Sequence, residues 1–250
     1  MKQIHLLLLI AYFNFIFSKE ETQKVETFQY RGIDFIFSDL TAKSITMETV
    51  KEELFRDEYY FEDFKPIKND VMIDIGAHIG IISIVYAKLY PNLLIYAFEP
   101  VLKNYESLIQ NIKLNSITNI IPYNLAVTSD GRDVTIFINE MNTGGSGLGA
   151  PDTELSGYYK EKIKSISLDC IFSMNKIDRC KVLKIDCEGS EYDILPKTNS
   201  LDKIEYLIGE FHEDLTVDHE ELYTIEGLLN HCLAKNKSLK IKIQKFYNKN

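Results

Sequence analysis

The chain has 250 residues, 45% of them hydrophobic and 26% charged, the composition of a globular protein with one sizeable core. Its formal net charge of -9 argues against a nucleic-acid partner, because sequence-independent binding depends on Lys and Arg neutralising phosphates.

The first residues, MKQIHLLLLIAYFNFIFSKE, put Lys2 ahead of an apolar run from Ile4 to Phe17, broken by His5 and Asn14. The run is shorter than the roughly 20 residues that span a bilayer. A basic start, a short apolar centre and the small Ser18 read as a secretory signal peptide, although Ile16 stands where a smaller residue is usual. An uncleaved membrane anchor is the alternative, and the chain would meet a membrane only in that case. The expected location is the lumen of the secretory pathway or outside the cell. Residues 1–18 are therefore set apart, 19–65 form an N-terminal extension, and 66–250 form the main domain.

Within the extension, GIDFIF reads as a strand, and the acid- and aromatic-rich stretch 45–65 as a helix that ends near Pro66. From residue 71 strand and helix patterns alternate. VMIDI is a strand, IGIISIVYAKLY a helix, LLIYAF a strand, and VLKNYESLIQNIKLN a helix with apolar residues at helical spacing. NIIPYNLAV is a further strand, which Pro122 assigns to an edge or irregular position. RDVTIFI alternates as a strand. NEMNTGGSGLGAPDTELSG (139–157) then makes a long loop of the kind that is usually functional or disordered. KIKSISLD, CKVLKID and KIEYLIGEF read as strands, CIFSMN and the segment after EGS as helices, and 218–235 as an amphipathic helix. LKIKIQKF closes the chain as an exposed edge strand guarded by lysines. This β-α-β-α alternation specifies a doubly wound, mostly parallel α/β sheet with helices on both faces.

Four cysteines, Cys170, Cys180, Cys187 and Cys232, show no CxxC pair and no zinc-like histidine spacing, so no metal site is expected. In an oxidising lumen Cys170 and Cys180 could bridge; otherwise the four are small buried hydrophobes. Asn236-Lys-Ser is the one glycosylation sequon.

In such a sheet, ligands bind beyond the carboxyl ends of the strands. DIGAHIG joins the first of these strands to its helix, offering Asp74, Gly76, Ala77, His78 and Gly80. A dinucleotide turn would read GxGxxG; the spacing here is GxxxG. Gly76 permits unusual dihedrals and a close backbone approach, Gly80 lets the helix pack near the strand, and the helix N-terminus offers N–H groups to an anion. Glu99 ends the next strand, where a carboxylate can accept both hydroxyl hydrogens of a ribose. Asn124 to Val127, with Ala126 between them, present backbone groups suited to a purine edge. Lys184, Asp186 and Glu188 cluster after an apolar strand, and the two acids, two apart, would face one side of an extended chain. Glu210 and His212 close the next strand in the same i, i+2 pattern.

As an ordered set, VMIDIGAHIG, YAFEP, the N-x-A of YNLAV, NTGGSG, SLD (167–169), LKIDCEGSE and GEFH resemble the FkbM-type family of S-adenosylmethionine-dependent methyltransferases, over roughly residues 66–215. The resemblance implies a class I methyltransferase (Rossmann-like) fold and S-adenosyl-L-methionine as cofactor. It implies that the Gly76–Gly80 turn holds the cofactor's amino-acid end, that Glu99 holds its ribose, and that Asp186 sits near the sulfonium and the acceptor. It implies a sugar or small-molecule O-methyltransferase, so the expected partner is a small-molecule or glycan acceptor.

The residues themselves suit that cofactor: it has no phosphate, its carboxylate can use the helix N-terminus, and its sulfonium favours acidic surroundings. An attacking hydroxyl must lose its proton, for which Asp186, Glu188 or His212 could serve as base, the carboxylates being favoured. Lys184 would orient them or the acceptor. The NTGGSG loop reads as a lid with Asn142, Thr143 and Ser146 as donors, or else as a disordered hairpin tip. After the helix at 218–235 only one strand remains where this fold usually closes with two, so the far sheet edge is expected to be truncated. Two other readings compete: a nicotinamide-dependent oxidoreductase, disfavoured by the missing GxGxxG, and a catalytically silent secreted domain of the same fold.

Overall fold

The computed structural model describes residues 24–40, 46–57, 59, 64–139, 146–147, 158–212 and 224–246. The apolar leader lies outside them, as do Asn142, Thr143 and residues 218–223. Among the described residues no helix is long and apolar enough to cross a membrane.

The central sheet has six strands in the order β12–β11–β10–β3–β4–β5, and every neighbouring pair is parallel. They are β3 (Val71–Ile75), β4 (Leu94–Phe98), β5 (Ile120–Tyr123), β10 (Cys180–Ile185), β11 (Ile204–His212) and β12 (Lys240–Phe246). β5, which carries Pro122, is one edge, and β12 with Lys240 and Lys242 is the other, as the sequence anticipates. Among the described residues a single strand follows the last helix, and β12 pairs parallel to β11.

Alternating side chains split the core in two, since successive residues of a strand point to opposite faces. Met72, Ile95, Val182 and Ile208 join one cluster, with helices α1 (Thr46–Phe55), α2 (Ile81–Leu89) and α3 (Leu102–Leu114). Ile73, Tyr96, Leu183 and Leu207 join the other, with α4 (Leu168–Met174), α5 (Glu191–Lys197) and α6 (Ile225–Lys235). Two smaller sheets lie beside the main one. The short strands β6 (Ala126–Thr128) and β9 (Ser165–Ser167) pair in parallel, and β7 (Val134–Asn139) and β8 (Tyr158–Ile163) form an antiparallel ribbon.

The N-terminal extension shares this core. Strands β1 (Lys24–Tyr30) and β2 (Ile33–Asp39) form a hairpin, and Phe35 and Phe37 are buried beside Leu108 of α3. The free edge of β2 is satisfied by two side chains one turn apart, Asn111 on α3 and Asn115 at its carboxyl-terminal cap. Asn111 Oδ1 accepts from the Ser38 amide at 2.7 Å, and its Nδ2 donates to Ser38 O at 2.9 Å and Ile79 O at 2.8 Å. Asn115 accepts from the Ile36 amide at 3.2 Å and donates to Ile36 O at 2.6 Å. These amides act as a neighbouring strand would. Asn111→Leu, which strands the buried Ser38 and Ile79 groups, is expected to cost about 2–4 kcal/mol. Urea unfolding of the variant checks this, and an unchanged midpoint would show that the hairpin is dispensable.

All four cysteines are free. The Cys170–Cys180 bridge that the sequence leaves open is not formed, and of the four only Cys180 and Cys232 are buried: Cys170 is exposed on α4, whereas Cys180 is fully buried at the start of β10 with its thiol toward Val71 O. The sequon is closed as well. Asn236 is buried, its Nδ2 donates to Leu201 O at 2.9 Å and Ile204 O at 2.8 Å, and its Oδ1 accepts from Ser238. A glycan on that nitrogen is incompatible with these bonds. Folded protein made through a secretory pathway is expected to keep its intact mass on glycosidase treatment.

Candidate active site

Strand order reverses between β3 and β10: β4 and β5 step away on one side, β11 and β12 on the other. Loops leaving the carboxyl ends of β3 and β10 therefore diverge and open a crevice. A cleft lies there, lined by the β3–α2 turn, the end of β4, Leu125 to Thr128, and residues between Lys184 and Ser190.

The turn is held from both sides. The amides of Gly76 and Ala77 both donate to Phe98 O at 3.0 Å, and the Asp186 amide donates to Ile75 O at 3.1 Å. Gly76 has φ 77°, and a Cβ there would lie 1.8 Å from the Asp186 carbonyl oxygen, so only glycine lets the two loops meet. Gly80 is also left-handed, but its partner is not the strand the sequence suggests. A Cβ at Gly80 would strike Leu108 Cδ1 at 2.3 Å, so this glycine lets α3 close on the turn.

Glu99 bridges the turn to the next loop. Its Oε2 accepts from the His78 amide at 2.8 Å, and its Oε1 accepts from the Val101 amide at 2.9 Å and Asn104 Nδ2 at 3.2 Å. Burial raises its pKa to about 7, although these three donors and the Lys184 charge pull the other way. Asn124 contributes indirectly: its Nδ2 donates to the carbonyls of Glu99 and Pro100, both at 2.9 Å, and the adjacent Ala126 lines the cleft. His78 faces the cleft half-buried. Desolvation, reinforced by the Lys184 cation, pushes its pKa down to about 3 and keeps it neutral.

Asp74 does not reach the cleft. It is fully buried beneath the turn, accepting from Ser83 Oγ at 2.6 Å and pairing with Lys184 Nζ at 3.3 Å. Lys184 Nζ also donates to Gly76 O at 2.7 Å and stands 3.6 Å from Asp186 Oδ2. Burial works against its charge, yet Asp74 and Asp186 outweigh that and raise its pKa, so it is a fixed cation. Lys184 thereby ties the β3 turn to the β10 loop.

Asp186 and Glu188 both line the cleft, but not because the strand continues. β10 ends at Ile185, and Glu188 adopts a left-handed φ of 53°, followed by Gly189 at 93°. His212 lies just behind them. Its Nε2 is 3.8 Å from Glu188 Oε2 and 3.9 Å from Glu210 Oε2, and its Nδ1 is 3.8 Å from Glu191 Oε1. Burial opposes its charge, but Glu191, Glu188 and Asp186 prevail and raise its pKa to about 10. Glu210, desolvated and beside Asp186 and Glu53, is pushed in the direction of protonation.

Two members of the wall come from the extension, which the sequence does not place at the site. Val50 on α1 and Tyr59 line the cleft, and Tyr59 donates from its hydroxyl to Glu53 Oε2 at 2.9 Å. The acid- and aromatic-rich composition of 45–65 is the one sign of them. From the long loop, Ser146 and Gly147 reach the cleft; Ser146 Oγ accepts from the Asn139 amide at 3.2 Å.

The cleft fits S-adenosylmethionine. The turn can meet a ligand closely through backbone alone, and the oxygens of Glu99 keep lone pairs for hydroxyl donors. Among the described lining residues the only basic side chains are neutral His78 and the committed Lys184, so nothing is arranged to clamp a pyrophosphate. Fold and cleft together define an S-adenosylmethionine-dependent methyltransferase.

Comparison with known proteins narrows this class. The methyltransferase FkbM domain matches residues 74–233, more than half of the chain, and the chain belongs to that family. It is similar to Methyltransferase 1 of Beauveria bassiana, at 23% identity over 68% of this chain and 74% of that one. It is also similar to the hexuronic acid methyltransferase AglP of Haloferax volcanii, at 25% identity over 58% of this chain and 57% of the relative's length. Among solved structures, TYW2 of M. jannaschii in complex with AdoMet matches at 18% identity and a TM-score of 0.33, over 59% of this chain and 89% of that one. Family membership sets aside the nicotinamide reading.

Proposed function

We propose that this enzyme methylates a hydroxyl oxygen on a sugar or small-molecule acceptor. The observation that carries the proposal is that two carboxylates, Asp186 and Glu188, line the same cleft as the glycine turn. S-adenosylmethionine supplies an electrophilic methyl carbon. The turn from Gly76 to Gly80 would hold the cofactor's amino-acid end, Glu99 its ribose, and Ala126 to Thr128 would flank its base. Asp186 or Glu188 accepts the proton of the attacking hydroxyl, and His212, set behind Glu188, fixes that carboxylate. Lys184 holds Asp186 in place from below. Most of the acceleration then comes from orienting the acceptor oxygen in line with the methyl group.

The likeness to a hexuronic acid methyltransferase supports a sugar acceptor, and the net charge of -9 speaks against nucleic acid. On the strength of the apolar leader we place the enzyme in the secretory lumen or outside the cell. A carboxyl-terminal reporter that stays in the cytosol would reverse this placement. The deciding experiment is incubation with methyl-labelled cofactor and a panel of glycans, metabolites and RNA. Label on an acceptor oxygen is expected. Label on an RNA base would overturn the acceptor class, and cofactor binding without transfer to any acceptor would favour the silent-domain reading.

A further inference from the structure

We infer that Asp186, Glu188 and His212 form a site for a divalent cation at the carboxyl ends of β10 and β11. One donor atom from each residue lies within 4.8 Å of the others. Ligands around an ion at about 2.1–2.4 Å must stand roughly 3–4.5 Å apart, so small side-chain rotations gather these three. The anchors are firm, because Asp186 is joined to β3 through its amide and His212 pairs in register with Phe246 of β12.

A second observation points the same way. Glu191 is fully buried, and no hydrogen bond reaches its Oε2 among the described residues. Its Oε1 accepts from the Cys187 amide at 2.7 Å and faces His212 Nδ1 at 3.8 Å, leaving Nε2 toward Glu188. A carboxylate behind the far nitrogen of an imidazole is the usual support of a metal-binding histidine. The donors are also the right kind for a cation. The carboxylates of Glu188, Glu191 and Glu210 each stand 3.8–3.9 Å from a ring nitrogen of His212, so acidic oxygens surround the imidazole.

Two carboxylates and one imidazole suit an ion of intermediate hardness such as Mn²⁺. Because Asp186 and Glu188 border the cleft, the remaining coordination positions would open onto the acceptor's place, where an ion lowers the pKa of a bound hydroxyl. The inference concerns binding and stands whether or not the acceptor is a sugar.

The test is titration of metal-stripped full-length protein with MnCl₂, followed by the loss of the free-ion electron paramagnetic resonance signal. One site is expected, with a Kd below about 1 mM. His212→Gln and Glu188→Gln should each weaken it at least tenfold, and Asp193→Asn, altering an acid partly exposed on α5, should leave it unchanged. Circular dichroism confirms the fold of each variant, and Glu188, at the cleft wall, is the substitution best tolerated. Absence of binding up to about 1 mM, or equal loss in Asp193→Asn, overturns the site. Mn²⁺ binding without methyl transfer would instead overturn the functional proposal alone.

Discussion

Gly76→Ala is expected to abolish cofactor binding while leaving the chain able to fold in weakened form. The added methyl would sit 1.8 Å from the Asp186 carbonyl oxygen, far inside any allowed contact, and the neighbour is backbone that cannot rotate away. The left-handed φ of 77° adds about 1–2 kcal/mol for a residue with a Cβ. The β3 turn and the β10 loop must therefore separate. That breaks the link between the two halves of the site, because the Lys184 contact with Gly76 O and the Asp186 amide bond to Ile75 O both depend on the approach. A shift of about 1 Å in such a site costs on the order of a hundredfold in activity. Calorimetry with S-adenosylmethionine and thermal unfolding, run on the same sample, separate the two effects. Wild-type affinity in the alanine variant would show that the turn does not hold the cofactor.

The elements on this side of the sheet were legible because their signals are local. VMIDI, the glycine turn and IISIVYAKL follow one another within 20 residues, and each periodicity is set by neighbours in sequence. Direction was harder to read than position. Asp74 stands at the end of β3, just where a ligand contact is expected, but it points beneath the turn to Ser83 and Lys184. A one-dimensional pattern places a residue on a strand and leaves the choice between two faces to packing. Glu188 illustrates the converse. The i, i+2 rule put it beside Asp186 through an extended chain, and the structure brings it there through a left-handed turn instead. Contacts between distant segments carry almost no local signal. Gly80 answers to Leu108, Asn111 to Ser38, and Tyr59 comes from outside the matched family segment to line the cleft.

Affinity for S-adenosylmethionine is expected to fall as the pH drops below about 7, with Glu99 as the responsible group. In the ligand-free protein, burial raises this carboxyl from 4.5 to about 7. Its contribution to stability is therefore complete only below about 4.5, declines as the pH rises from there, and is gone once the pH has climbed through about 7. A ribose reverses the preference. Its two hydroxyls can only donate usefully to the ionised form, which already holds the amides of His78 and Val101. Binding then expels a proton, and the Kd should rise by up to about tenfold for each pH unit below 7. Calorimetry in buffers of different ionisation enthalpy would register the released proton directly. Glu99→Gln keeps the shape of the side chain but lacks the charge, and hydrogen bonds to a charged acceptor are worth about 1.5–3 kcal/mol each. The variant should therefore lose roughly a hundredfold in affinity, and what remains should no longer vary between pH 5.5 and 8. The paired outcome is the discriminating one. A weak, pH-independent variant assigns the ribose to Glu99, whereas a variant that binds as tightly as the wild type would confine Glu99 to stitching the His78 and Val101 loops together.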